Sequence, residues 1–341
     1  MLKRRGPSSE HDYHDFACTC KRARPPATKR HLYLALDDRD RGYSLYKLDV
    51  LDAADADQAE RPLPEPPVLR LEVPESGDAC HFAALGTKII AFSNRSPPLV
   101  HDALTGALTI GSRRPPRALS RFPSFTVAAG GRLLALPHAR RWAWSPADSS
   151  SPVPFDPRAV ACHAVHPDGR TVFVSAQRRA GGAASWLDHG TFSLDTGGLS
   201  GEWTRHGGWL LPFKGQAFFE PQLDAWVGLD GQGHLCSCDG VSRRGTRAAA
   251  PVRKVCEDTP LLLDPDSDGK RDAVLTHMGD ARFCVVERAA RDGGGECVLR
   301  VTTFAVRYGK HGELKIADRR LVGSYLAPRH NVFFKVQAFF L

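Results

Sequence analysis

The chain has 341 residues, 42% of them hydrophobic and 25% charged, with a net charge of +8. That length and balance suit a globular protein with a full core and exclude a disordered chain. No stretch reaches the roughly 20 apolar residues of a membrane-spanning helix, and Met1-Leu2-Lys3-Arg4-Arg5 runs into polar residues rather than an apolar signal core, so neither membrane insertion nor secretion is expected.

Residues 1–30 mix Pro, Ser, Lys, Arg and His with little apolar periodicity and read as a disordered tail. They carry eight Lys or Arg against three acids, so five of the eight excess charges sit in the tail and the body is only mildly basic. A dedicated nucleic-acid face is therefore not favoured for the body. Within the tail, Lys21, Arg22 and Arg24 form a basic cluster of the type that a nuclear-import receptor reads.

From residue 31 the pattern changes to short apolar runs bounded by Gly, Asp and Pro, the signature of hairpins, and helix signals are almost absent. His31 to Leu48 pairs two such runs across Asp37 to Gly42. Residues 52–67 are rich in Ala and Asp, then in Pro, and predict an irregular exposed loop because proline withholds a backbone donor. The same unit, an apolar run, a Gly turn and an apolar run, then recurs at Phe82 to Phe92, Thr126 to Leu136, Ala164 to Val174, Ala225 to Cys236 and Val274 to Val286. Second hairpins follow several of them, at Leu99 to Leu108, Thr191 to Thr204 and Thr303 to Ile316.

Two hairpins make a four-stranded sheet, and each sheet alone would leave a bare apolar face. Radial packing around an axis covers those faces and shortens the exposed edges. The prediction is one all-β domain over 31–341, a β-propeller of six blades by the hairpin count, with seven compatible with the length. The C-terminal run Asn331 to Phe340 is β-prone and is expected to complete a sheet beside the first strand.

Candidate chemistry is sparse. Asp264, Asp266, Asp268 and Asp272 alternate around Gly269 in the spacing of a short calcium loop, with a hydrophobic strand directly behind them. The position of the bidentate Glu of a helix-loop-helix site is Leu275, and Lys270 and Arg271 also allow a plain surface turn. Calcium is the one cofactor the sequence suggests. Cys236 and Cys238 share one face of a strand and have no second Cys pair to complete a zinc site. His163 and His166 flank a turn beside Asp168, where a proton relay and a structural turn are both compatible with the residues. Neither a Gly-x-Ser-x-Gly elbow nor a phosphate loop is present. The nine cysteines are odd in number and scattered, which fits reduced thiols in the cytosol or nucleus.

His31 to Asp38 with Gly42 to Asp49, Ala164 to Phe173, Glu202 to Ala217, Leu223 to Leu229 and Gly233 to Asp239 resemble blocks of domain of unknown function 1668, a plant family expanded in grasses and similar in outline to kelch-type propellers. The resemblance implies an intracellular plant protein with a kelch-like fold and supplies no site residues. The chain departs from kelch repeats in having one doubled glycine, Gly130-Gly131, and incomplete Tyr and Trp markers. The functional expectation is a monomeric, non-enzymatic scaffold that binds another protein, rather than nucleic acid or a membrane, through the loops of a rigid ring. The alternatives are a metal-dependent or carbohydrate-handling enzyme using the central opening, and a nuclear protein that associates with nucleic acid through its tail.

Overall fold

The structure, a computed structural model, describes residues 30–38, 42–51, 59–72, 80–93, 96–111, 125–136, 153–177, 189–197, 201–241, 249–257, 261–262, 272–290, 296–328 and 336–341. Residues 1–29 of the tail, with the basic cluster Lys21, Arg22 and Arg24, and the carboxylates Asp264, Asp266 and Asp268 lie outside these residues.

The strands follow one another in six antiparallel groups. The first holds β1 (Leu32–Asp37), β2 (Tyr43–Leu48) and β4 (Leu69–Leu71), with β3 (Glu60–Pro62) diverted elsewhere. The second holds β5 (His81–Leu85), β6 (Lys88–Phe92), β7 (Leu99–Asp102) and β8 (Leu108–Ile110). The third shows β9 (Phe125–Ala129) and β10 (Arg132–Leu136) among the described residues. The fourth holds β11 (Val160–Val165), β12 (Thr171–Ala176), β13 (Gly190–Asp195) and β14 (Trp203–Gly207). The fifth holds β15 (Gly215–Glu220), β16 (Ala225–Leu229), β17 (Leu235–Asp239) and β18 (Arg253–Val255). The sixth holds β19 (Asp272–Gly279), β20 (Arg282–Ala290), β21 (Glu296–Tyr308) and β22 (Leu314–Pro328). The chain ends in β23 (Gln337–Phe340). A single 3-10 turn, Pro157–Ala159, is the one helical element among the described residues.

Local chemistry sets the turns. Gly130 and Gly131 join β9 to β10 with φ of 59° and 70°, the left-handed pair of one two-residue hairpin turn, which glycine adopts with the least strain.

The packing closes a circle. One hydrophobic cluster joins each group to the next: Tyr33, Ala35 and Leu45 with Phe82 and Ile89; Ala83 and Phe92 with Leu133 and Ala135; Val127 and Leu134 with Val172 and Phe192; Phe173 and Cys162 with Trp226 and Ala217; Val227 and Leu235 with Phe283 and Phe304. The last, Val286 and Leu299 with Leu32, Leu34 and Leu36, returns from the sixth group to the first. Alternate residues of one strand serve opposite neighbours, as Leu32, Leu34 and Leu36 do on one side of β1 and Tyr33 and Ala35 on the other. With both faces covered, strands read as unbroken apolar runs rather than as an apolar and polar alternation. The molecule is an all-β, propeller-like ring of sheets.

Its ends are tied together twice. β23 pairs antiparallel with β1, Leu32 opposite Phe340 and Ala35 opposite Gln337, as the C-terminal run predicts. The second tie departs from the expected irregular loop at 52–67 at one place, residues 60–62, which stay exposed but pair as a strand. Glu60–Pro62 forms β3, which runs parallel to Ser324–Leu326 of β22 at the edge of the sixth sheet. An edge position tolerates the missing donor of Pro62, so the proline that argues for a loop is compatible with a strand there. Leu63, just beyond, is 6% exposed and joins the closing cluster.

Two of the repeated hairpins also occupy a different place from the others. In the second, third, fourth and sixth groups the hairpin is formed by the first two strands. β16–β17 and β1–β2 are instead the second and third of their sheets, because β15 and β23 lie inside them.

Candidate functional site

The inner strands carry polar links around the axis. Gln337 Oε1 accepts from Phe82 N at 2.9 Å, joining β23 to β5, and Thr276 Oγ1 donates to Ala338 O at 3.2 Å, joining β19 to β23. β11 and β15 form a short parallel ladder in which His163 stands beside Gln216. His277 Nε2 lies 2.8 Å from Glu220 Oε2, which also accepts from Ala281 N at 3.0 Å, while Glu220 Oε1 accepts from Gln222 N at 2.8 Å. Glu220 is 1% exposed. Both its oxygens are taken by these donors, so the carboxylate fastens the fifth group to the sixth.

The residues singled out in the sequence resolve as follows. His163 is buried, and burial pulls its imidazole down to about 4 against a smaller opposing effect of Gln216. His166 is apart from it: its Nδ1 accepts from Asp168 N at 3.2 Å at the turn. Burial would raise the Asp168 carboxyl, yet donors from Thr171 N at 2.8 Å, Thr171 Oγ1 at 2.7 Å and Arg170 N at 3.0 Å hold it at about 2. The two histidines are not brought together, and Asp168 is a turn lock. Cys236 and Cys238 do share a face, and Cys162 joins them in one apolar cluster. Burial pushes Cys162 up to about 11 and Cys236 up to about 12, and raises Cys238 as well. These groups are thiols rather than thiolate ligands. Asp272 opens β19 with its backbone in register with Arg288. Among the described residues no three His, Cys, Asp or Glu side chains gather as metal ligands.

Two features lie at the rim. The first is an exposed apolar edge on the second group, beside its contact with the first. Leu45 and Tyr43 of β2 stand opposite Leu69 and Leu71 of β4, and Leu99 and His101 of β7 stand opposite Ile110 and Leu108 of β8. Directly opposed residues share a sheet face, and Leu69, Leu71 and Leu99 all pack against the cluster between these two groups. Leu108 and Ile110 extend the same apolar face outward, where they are 50% and 72% exposed, with Leu104 in the preceding turn at 57%. β8 is the outermost strand of its sheet. The turn beneath is held by Asp102, which accepts from Leu104 N at 3.0 Å and from Lys88 Nζ at 2.8 Å.

The second feature is a cavity of about 340 Å³ at the seam where β3 crosses from the first group to the sixth, lined by Asp38, Tyr46, Pro62, Leu63, Glu65, Arg70 and Leu326. Tyr46 OH donates to Glu65 Oε1 at 3.3 Å, Arg70 Nη2 lies 3.6 Å from Glu65 Oε2, and Arg70 Nε donates to Ser44 Oγ at 3.4 Å. Ser44 Oγ donates to Asp38 Oδ2. Burial, and then the charges of Asp38 and Glu65, raise the Tyr46 phenol, which keeps it a donor. Neither feature is visible to motif reading. Tyr46 and Asp38 belong to the first hairpin in the sequence, but nothing local shows that residues 60–65 bring a wall of the sixth sheet against them.

Comparison with known proteins adds a family and a set of distant shapes. A family model described as "Protein of unknown function (DUF1668)" matches residues 29–136 and 124–325. No curated protein matches the chain. Among solved structures, the periplasmic gluconolactonase PpgL of Pseudomonas aeruginosa is 12% identical with a TM-score of 0.44, over 91% of this chain and 98% of that one. Hsv2 of Kluyveromyces lactis is 8% identical with a TM-score of 0.35, over 83% and 93%. BamB of Moraxella catarrhalis is 11% identical with a TM-score of 0.31, over 84% and 89%. At these scores none of the three lends this chain an activity or a partner.

Proposed function

Because the chain belongs to the DUF1668 family, whose function is unknown, we propose its role from its own residues: a rigid scaffold that docks an extended segment of a partner protein along the exposed edge of β8. The observation that carries this reading is the exposure of Ile110 and Leu108 on the outermost strand of a sheet whose other strands are largely buried or half-buried. An edge strand with apolar side chains is a template for strand addition, and proteins ordinarily blunt such edges with charge. Here the described edge carries Leu108, Thr109 and Ile110 instead. An added strand would gain main-chain hydrogen bonds from β8 and set alternate apolar side chains toward Leu69, Leu71 and Leu99.

The test places a photo-crosslinking residue at position 104, in the exposed turn before β8, and compares the otherwise wild-type chain with its Leu108→Lys, Ile110→Lys variant in cell extract. A discrete crosslinked protein, lost in the variant while the melting curve stays within about 0.5 kcal/mol of the wild type, supports docking at this edge. An unchanged set of crosslinks in the variant would refute it, as would a stability loss of about 2 kcal/mol or more, since that loss means the chain itself covers these side chains.

A further inference from the structure

The seam cavity lies against the other face of β4 from the β8 edge, with Arg70 between Leu69 and Leu71, and has a different chemistry. Its depth is apolar, with Leu63 and Tyr46 at 6% and 4% exposure, and its mouth is charged, with the side chains of Glu65 and Arg70 61% and 41% exposed. Two carboxylates, Asp38 and Glu65, face one guanidinium, Arg70, so among the described lining residues one negative charge is left over. Arg70 is committed to Glu65 and Ser44. Asp38 Oδ2 is taken by Ser44, whereas Asp38 Oδ1 is buried and receives no hydrogen bond among the described residues. A buried carboxylate oxygen without a donor is costly, and a cationic donor is the group that would satisfy both the charge and the lone pair.

We infer that the seam cavity binds an organic cation, an alkylammonium or guanidinium group on a short apolar stem. The head meets Asp38 Oδ1 and the Glu65 carboxylate, and the stem lies on Pro62, Leu63 and Leu326. A hard metal ion fits less well, because it seeks six or more oxygen ligands and two carboxylates partly held by Arg70 and Ser44 fall short of that. An anion is repelled by the excess carboxylate. The same head group arrives from two sources, a free amine or the Lys or Arg side chain of a protein.

Calorimetric titration of the full chain with n-butylammonium, n-butylguanidinium, n-pentanol, calcium and the capped tripeptides Gly-Arg-Gly and Gly-Lys-Gly tests this. The expected result is saturable binding of the cations, none of the alcohol or calcium, and weakening of about tenfold or more in Asp38→Asn, the worth of one hydrogen bond to a charged group. Should Asp38→Asn fail to fold, Glu65→Gln at the exposed mouth is expected to weaken binding in the same direction, and Leu326→Trp to abolish it by filling the cavity. A tripeptide that binds more tightly than the free cation assigns the site to a protein side chain, and equal affinity assigns it to a small amine; both support the inference. Binding of pentanol as tight as that of the cations, displacement by calcium, or no cation binding up to about 10 mM would overturn it.

Discussion

Arg61 lies across the backbone of Gly323. A Cβ at position 323 would stand 2.5 Å from Arg61 Nη2 and 3.1 Å from its Cζ, so the guanidinium occupies the space that any other residue would fill. The same Nη2 donates to Val322 O at 2.9 Å and to Tyr325 OH at 2.7 Å, and the guanidinium sits 4.7 Å from the Tyr325 ring centre. One side chain from β3 thereby straps the first group to the last strand of the sixth.

Gly323→Ala should push the flexible Arg61 side chain off this seat and destabilise the protein by about 1 kcal/mol, through the hydrogen bonds that Arg61 gives up. Arg61→Ala should cost a similar amount through lost hydrogen bonds and ring contact. The two losses should not add, because in the Arg61→Ala background a methyl group added at position 323 has room. Urea denaturation of the wild type, both single variants and the double variant measures this; additive losses would show that the two residues act independently.

Arg61 also marks where the sequence stops being legible. Hairpins at Phe82 to Phe92 or Thr126 to Leu136 can be read because run, turn and glycine are all local. The closure by β23 can be read as well, since an apolar C-terminal run needs a partner. β3 cannot be, because its three residues, Glu60, Arg61 and Pro62, have no strand propensity and are held by a strand some 260 residues away in sequence. The same distance hides the seam cavity, whose walls come from residues 38–70 and from Leu326. The uneven spacing of the repeated hairpins has a physical cause too: two of them are central pairs of their sheets rather than inner ones, which displaces the period without breaking the ring.

Trp226 carries the contact between the fourth and fifth groups. Its side chain is fully buried, its ring centre is 5.2 Å from that of Phe173, and Nε1 donates to Val165 O at 2.8 Å across the interface. Trp226→Phe should keep most of the packing and lose the donor, at about 1–2 kcal/mol, whereas Trp226→Ala should cost about 3–5 kcal/mol by opening a cavity between two sheets. Denaturant midpoints that differ by less than about 1 kcal/mol between the two variants would mean that this interface relaxes around the loss.

His163 should make stability depend on pH. Its folded-state value is about 4 because burial disfavours the imidazolium, whereas the unfolded chain titrates near 6.5. Between those values the unfolded state holds a proton that the folded state refuses, so stability is fully present above about pH 6.5 and falls as the pH drops toward 4. The loss is on the order of 3 kcal/mol. His163→Gln, which stays neutral, should flatten the profile in that window. Urea midpoints at pH 7.5 and pH 4.5 for both proteins measure the difference, and parallel profiles would show that His163 is not the titrating group.

Closure by β23 should be worth more than any single side chain. Its four residues pair with β1 from Leu32 to Ala35, and its two phenylalanines split between neighbours: Phe340 packs against the cluster that joins the sixth group to the first, and Phe339 against the one that joins the first to the second. Gln337 adds the link to Phe82 N. Removing residues 336–341 therefore opens the ring, bares the inner edge of β1 and uncovers apolar surface on both sides of it at once. The truncated protein should lose its cooperative transition or melt at least about 10 °C lower, the effect of several kcal/mol in a domain of this size. Hydrogen exchange gives the sharper readout: protection should vanish first in Leu32–Asp37, and a truncated chain that keeps β1 as protected as β12 would show that the ring does not depend on its C-terminal strand.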